Sequence, residues 1–282
     1  MNPTPSIPFA KYHGAGNDFI LIDNRRGAYP FSGKEVAWLC HRRFGIGADG
    51  LMLLETADKA DFRMVYYNAD GGISTLCGNG SRCMVAFARH LGIVAGKDVL
   101  FEAADGLHQA QLLEDGLIAL QMQDVEKVFP EKEGVFLDTG SPHWIVWTPD
   151  AAAETVDIKG RAIRNQERFL PGGTNVNFVE KRGRDGLFVR TYERGVEAET
   201  LSCGTGVTAA AIAASGTGTG VFDFTIETPG GLLRVSFQKT GPEKAENICL
   251  TGPAQLVFEG TVRLADVAPG TVSGRYFPET DT

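Results

Sequence analysis

Cys77-Gly78-Asn79-Gly80 and Cys203-Gly204-Thr205-Gly206 are one short phrase written twice. Each follows a run of β-strand composition and precedes a small, apolar run of helical composition. The phrases lie 126 positions apart, from 77 to 203, and other landmarks keep nearly the same offset. Phe62 to Asn68 has its counterpart in Leu187 to Arg194, and Asn68 and Arg194 each stand nine residues ahead of their cysteine. Gly16-Asn17-Asp18-Phe19-Ile20-Leu21-Ile22 is similar to Gly140-Ser141-Pro142-His143-Trp144-Ile145-Val146. Alone, Asn79-Gly80 would read as a common turn dipeptide. Its repetition with the cysteine, at matching points of two halves, makes the chain a tandem duplication whose halves meet near residues 125–135.

Helical spacing of Met84, Phe87, Ala88 and Leu91 predicts a helix over Ser81 to Leu91. Val207 to Ala214 is apolar all round, which marks a buried helix, and Ser215-Gly216 closes it. The expected fold is α+β: two pseudo-symmetric halves, each a strand-rich barrel around a central helix. The segment after Leu232 supplies further strands, and Ala265 to Thr282, rich in Pro, Gly and Thr, reads as a peripheral or mobile tail.

A helix that starts just after each cysteine presents unpaired N–H groups and a positive dipole end there. Two consequences are expected. The thiol pKa should fall below its reference of about 8.5, and the N–H groups of Gly78-Asn79 and Gly204-Thr205 should cradle a carboxylate. If the halves pack face to face, two thiols flank one small anion. One, as thiolate, takes a proton from the carbon beside that carboxylate, and the other, as thiol, delivers one to the opposite face. A pyridoxal enzyme would need a Schiff-base lysine and a phosphate cup, and gives the duplicated phrase no role. The reading is therefore racemisation or epimerisation without a cofactor and without a metal.

The formal charge of −8 argues against a nucleic-acid partner. Met1 to Phe9 lacks an apolar core of signal-peptide length and no stretch approaches a membrane span, so cytoplasm is the expected location. The five cysteines lack the paired spacing of a zinc site and read as reduced thiols, with Cys40, Cys83 and Cys249 structural. Asn17, Asn68, Asn175, Glu193 and Arg194 stand at the ends of strand-like runs, where binding side chains are often placed. Arg194 could hold a second carboxylate through a bidentate contact. His143 could relay or orient a proton; His13 reads as structural, and His41, His90 and His108 show no supporting partners. Gly45-Ile46-Gly47-Ala48-Asp49-Gly50 lacks the spacing of a nucleotide loop and is rejected as one.

As a set, His13 to Phe19, Asn68-Ala69-Asp70-Gly71, Cys77 to Cys83, Tyr192-Glu193-Arg194-Gly195 and Cys203 to Gly206 resemble the motifs of the diaminopimelate epimerase family, in its order, from about Phe9 to Gly260. The resemblance implies interconversion of LL- and meso-diaminopimelate, on the route to lysine and peptidoglycan, in a homodimer. It gives Cys77 and Cys203 the acid–base roles, with His143 and Glu193 assisting. Gly78, Asn79, Gly204 and Thr205 would bind the reacting carboxylate, and Asn17, Asn68, Asn175, Glu193 and Arg194 the rest of the substrate. It also implies halves of residues 1–127 and 128–253, with a C-terminal strand at about 254–264 returning to the first. Three departures stand out: Ser141 replaces a frequent Asn, Gly50 replaces a frequent Gln, and the loop from Arg194 to Cys203 is one residue longer than in some members. The alternatives are a proline- or hydroxyproline-type racemase of the same architecture, a phenazine-pathway-like isomerase without the cysteine pair, and a thiol redox sensor.

Overall fold

The computed structural model describes residues 6–264; the expected tail at 265–282 lies outside them. The first half of the chain forms β1 (Ser6–Gly14), β2 (Asn17–Asp23), α1 (Gly33–Cys40), β3 (Gly50–Glu55), β4 (Phe62–Asn68), β5 (Ile73–Ser74), α2 (Gly78–His90), β6 (Asp98–Ala103), β7 (Gly106–Leu112) and β8 (Ile118–Gln121). The second forms β9 (Val128–Glu131), β10 (Gly134–Asp138), β11 (Pro142–Trp147), α3 (Val156–Arg164), β12 (Asn175–Arg182), β13 (Gly186–Glu193), β14 (Ala198–Thr200), α4 (Gly204–Ala214), β15 (Gly220–Thr228), β16 (Gly231–Lys239), β17 (Ala245–Gly252) and β18 (Gln255–Arg263).

The ladders repeat between the halves. In the first, β1–β2 is antiparallel, β2–β3 parallel, β3–β4 and β4–β5 antiparallel, β4–β6 parallel, and β6–β7–β8 antiparallel. In the second, β10–β11 is antiparallel, β11–β12 parallel, β12–β13 and β13–β14 antiparallel, β13–β15 parallel, and β15–β16–β17 antiparallel. The outer partners break this order of travel. β9 directly precedes β10 and pairs with it, whereas the equivalent neighbour of β1 is β18, from the far end of the chain. β8 and β17 pair antiparallel and join the two sheets.

Each half of the sheet curls around one helix: α4 is small and apolar on nearly every side, and α2 is exposed only toward its C-terminal end, at Arg89 and His90. Gly204, Gly206 to Ala213 in α4 are all buried, and α2 is buried from Asn79 to Val85 and again at Phe87 and Ala88. Full burial of a side chain such as Val207 or Ile212 is worth about 1.5–3 kcal/mol. Both helices share one continuous apolar core with the inner strand faces. The other two helices lie outside the sheets. α1 is set by a capping box between Ser32 and Glu35 and covers β3 through Val36 and Leu39. α3 sits on β12 and β13, with Val156 against Phe178 and Tyr192. Among the described residues no helix is long and apolar enough to cross a membrane.

Candidate active site

Both helices begin three residues earlier than their apolar runs suggest, because the glycine phrases form the first turns. Cys77 caps α2 with φ −124° and ψ 117°, and Cys203 caps α4 with φ −116° and ψ 112°. The cysteine carbonyls accept from Ser81 and Val207, so the N–H groups of residues 78–80 and 204–206 are the unpaired donors of two helix ends. Those ends meet: a Cβ built on Gly204 would lie 3.7 Å from Gly78 Cα, and both glycines abut Leu250 of β17. A Cβ on either glycine would press on the Leu250 side chain, at 3.0 Å from Gly204 and 3.3 Å from Gly78, and would fill the space between the two first turns.

On the second-half side, Cys203 Sγ lies 3.4 Å from Thr205 Oγ1. Thr205 Oγ1 is 2.9 Å from His143 Nε2, and His143 Nδ1 accepts from Asn177 Nδ2 at 3.0 Å. Parallel pairing of β11 with β12 and antiparallel pairing of β12 with β13 bring these groups together, and Thr191 Oγ1 completes the row by donating to Asn177 Oδ1 at 2.9 Å. Glu193, at the end of β13, accepts from Thr200 Oγ1 at 2.9 Å, and its charge is felt at both cysteines.

On the first-half side, Cys77 Sγ donates to Asn17 Oδ1 at 3.6 Å. Asn17 Nδ2 donates to Asp49 Oδ2 at 2.6 Å, which fixes the face of the amide that turns to the thiol. Asn79 Nδ2 donates across the halves to the Ser202 carbonyl at 3.0 Å, and Asn79 Oδ1 accepts from the buried guanidinium of Arg82 at 2.7 Å. Arg82 also donates to the Gly78 carbonyl at 3.3 Å, so a positive charge sits under the first turn of α2.

The expected fall in thiol pKa is overturned. The Cys77 thiol is pushed up to about 11, by burial first, with the Glu193 charge adding; the N–H groups of Gly80 and Asn79 and the charge of Arg82 oppose this and lose. Cys203, 7% exposed, is pushed up further by burial and by Glu193, against Thr205 and the Gly206 N–H. The helix-end donors are present as the sequence implied, but loss of water around the sulfur costs more than they return. Burial also raises the Glu193 carboxyl and depresses His143 to about 3, with the Arg194 charge contributing to the latter. Both thiols and the imidazole are therefore neutral near pH 7.

The remaining candidates line the rim. Asn175 is buried: its Nδ2 donates to Ser141 Oγ at 2.8 Å and to the Pro142 carbonyl at 3.0 Å, and its Oδ1 accepts from the Arg194 backbone N–H at 2.8 Å. The Arg194 side chain is exposed, with Nη1 3.4 Å from the Gly172 carbonyl. Asn68 is exposed at the end of β4, opposite Gly50 on β3, and shows no side-chain hydrogen bond to the other candidates. At Gly50 a Cβ would fall 2.6 Å from Tyr66 Cε2, so the Tyr66 ring covers that glycine. Tyr66, Asp49, Asn177, Thr191 and Arg82 are the neighbours that the sequence reading did not single out. Asp49 lies in the segment rejected as a nucleotide loop, and its carboxylate serves to orient Asn17. Among the described residues no three His, Cys, Asp or Glu side chains converge as a metal-ligand set.

The sequence profile described as diaminopimelate epimerase matches residues 9–128 and 135–257. A diaminopimelate epimerase of Flavobacterium psychrophilum is 50% identical over 254 residues, covering 89% of this chain and 98% of that protein. One from Aquifex aeolicus is 40% identical over 277 residues, covering 90% and 97%. Among solved structures, a phenazine biosynthesis protein of the PhzF family from Bacillus anthracis superposes with a TM-score of 0.72 at 16% identity, covering 92% of this chain and 99% of that one. A hydroxyproline epimerase from Agrobacterium vitis gives 0.64 at 18% identity, covering 95% of each. These two structures share the α+β fold. Family membership rests on the sequence matches: the chain belongs to the diaminopimelate epimerase family.

Proposed function

We propose that the protein is an isomerase that converts LL-2,6-diaminopimelate to the meso form, supplying lysine and peptidoglycan synthesis, by proton transfer between two cysteines without a cofactor. The observation that carries the mechanism is the meeting of two cysteine-capped helix ends at Gly78 and Gly204. The reacting carboxylate sits across those ends, where N–H groups of Gly78, Asn79, Gly204 and Thr205 receive the charge that grows on it in the transition state. Cys77 and Cys203 face the α-carbon from opposite sides. With a pKa near 11, forming the Cys77 thiolate at pH 7.5 costs about 5 kcal/mol, at 1.36 kcal/mol per unit. Binding therefore has to supply that energy, through the substrate ammonium groups and the exclusion of water. The thiolate, once formed, is a correspondingly stronger base for a weakly acidic C–H bond.

His143 and Glu193 assist the thiols, His143 through Thr205 and Glu193 through its charge. Asn17, Asn68, Asn175 and Arg194 hold the ammonium and carboxylate groups of the remainder of the substrate. The organisation behind the site is a half of residues 1–127 completed by the strand at about 254–264, and a half of residues 128–253. We read the working form as a cytoplasmic homodimer that needs neither nucleic acid nor membrane.

Incubation of the reduced protein with LL-diaminopimelate in D₂O tests the reading. Deuterium should enter the α-position and the meso isomer should accumulate, while proline and hydroxyproline should remain unexchanged. Cys77→Ala and Cys203→Ala should each abolish epimerisation. Exchange of hydroxyproline instead would shift the assignment to a racemase of that type, and full turnover in either cysteine variant would refute the two-thiol mechanism.

A further inference from the structure

Asn177 hydrogen-bonds to His143 and Thr191 rather than to a cysteine and lies wholly buried in β12, with both ends of its amide committed. Its Oδ1 accepts the Thr191 hydroxyl at 2.9 Å and its Nδ2 donates to His143 Nδ1 at 3.0 Å. An amide nitrogen can only donate and an amide oxygen can only accept. His143 Nδ1 is thereby the accepting nitrogen, and the ring carries its proton on Nε2, 2.9 Å from Thr205 Oγ1. With that oxygen receiving from the imidazole, the Thr205 proton points to Cys203 Sγ, 3.4 Å away. Asn177 Oδ1 lies against Gly206, where only a glycine leaves space for it: a Cβ there would overlap that oxygen. Among the described residues the ring nitrogens bond to Thr205 and Asn177, and no carboxylate bonds to Nδ1.

We propose that Asn177 is a positioning residue that holds His143 as the Nε2–H tautomer, so that the row Thr191–Asn177–His143–Thr205 delivers a hydrogen bond to the Cys203 sulfur. This rests on the two-thiol reading for its catalytic meaning, but not for its structural content. In this polarity His143 is not a base that takes the Cys203 proton. It is a donor that, through Thr205, favours the thiolate. The opposite polarity, with the amide reversed and Nδ1 protonated, would make Cys203 the donor and His143 the acceptor.

Ring ¹⁵N chemical shifts of His143 in the ligand-free, isotopically labelled protein decide between the two. The expected result between pH 6 and 9 is a protonated, pyrrole-like Nε2 and a bare, pyridine-like Nδ1. A protonated Nδ1 would overturn the proposal. In Asn177→Asp the new carboxylate can only accept, so Nδ1 should become protonated and kcat should fall by about 100-fold with KM changed less than about threefold. An unaltered kcat in a variant whose tautomer has switched would remove the positioning role. Thr191→Val frees the amide oxygen and should give a mixture of tautomers; a pure Nε2–H form there would show that Asn177 needs no anchor and would refute the row as drawn. An Nε2–H ring in a protein that fails to exchange diaminopimelate would sink the proposed function and leave the tautomer assignment standing. A protonated Nδ1 in an active enzyme would do the reverse.

Discussion

Alkylation of Cys77 should betray how far its thiol has been displaced from ordinary behaviour. With a pKa near 11, about one molecule in a thousand carries the thiolate at pH 8, against roughly one in four for an unfolded cysteine near 8.5. The thiolate fraction is thus lower by about 200-fold. The more basic thiolate is intrinsically a better nucleophile, and a Brønsted slope of about 0.45 over 2.5 units returns about 13-fold of this. The net expectation is a rate with iodoacetamide some 20-fold below that of the same cysteine in the urea-unfolded protein. The logarithm of the rate should climb with unit slope through pH 10 without levelling. Peptide mass spectrometry after timed quenching follows Cys77 separately from the more deeply buried Cys203, which should react more slowly still. A plateau at or below pH 8.5 would show that the helix-end N–H groups outweigh burial, and the argument from desolvation would fail.

Two further outcomes follow from groups beside the cysteines. His143 has a folded pKa near 3 against about 6.5 unfolded, so the unfolded chain binds a proton that the native one refuses. Its contribution is complete above pH 6.5 and is lost as pH falls toward 3, by up to about 5 kcal/mol. Urea titrations from pH 7 to 4 should show this decline, and His143→Gln should flatten it; an equal slope in the variant would contradict the assignment. Gly206→Ala gains less than the roughly 1 kcal/mol of an interior helix position, because Gly206 is in the first turn, and it forces a methyl group into Asn177 Oδ1 and to within 3.3 Å of Cys203 Sγ. Overpacking of about 1–3 kcal/mol should win, and Tm should drop by several degrees. An unchanged or higher Tm would show that the row beside it yields easily.

The parts of the fold that sequence revealed are those written locally. Two cysteine phrases located both central helices, and the matching runs ending at Asn68 and Arg194 correspond to β4 and β13. Helix starts were placed three residues late because Gly78-Asn79-Gly80 and Gly204-Thr205-Gly206 have loop composition; an N-terminal first turn tolerates glycine where an interior would not. The capping box of Ser32 and Glu35 is equally local, since it needs only four consecutive residues. Asp49, Asn177 and Tyr66 were not legible, since each acquires its role only from a strand register spanning many residues. The direction of the thiol shift failed for the same reason. A helix end can be read from four residues, whereas the depth at which a sulfur is buried depends on the whole sheet around it.

The exchange of outer strands also sets a schedule for synthesis. β10 finds β9 at once, a few residues upstream, but β1 must wait for β18, about 240 residues later. At about 5–20 residues per second this interval is roughly 12–50 s, during which β1 has a bare hydrogen-bonding edge. The half that emerges first from the ribosome is thus the last to be closed. A chain cut short anywhere before β18 would leave that edge open for good, whatever remained of the site.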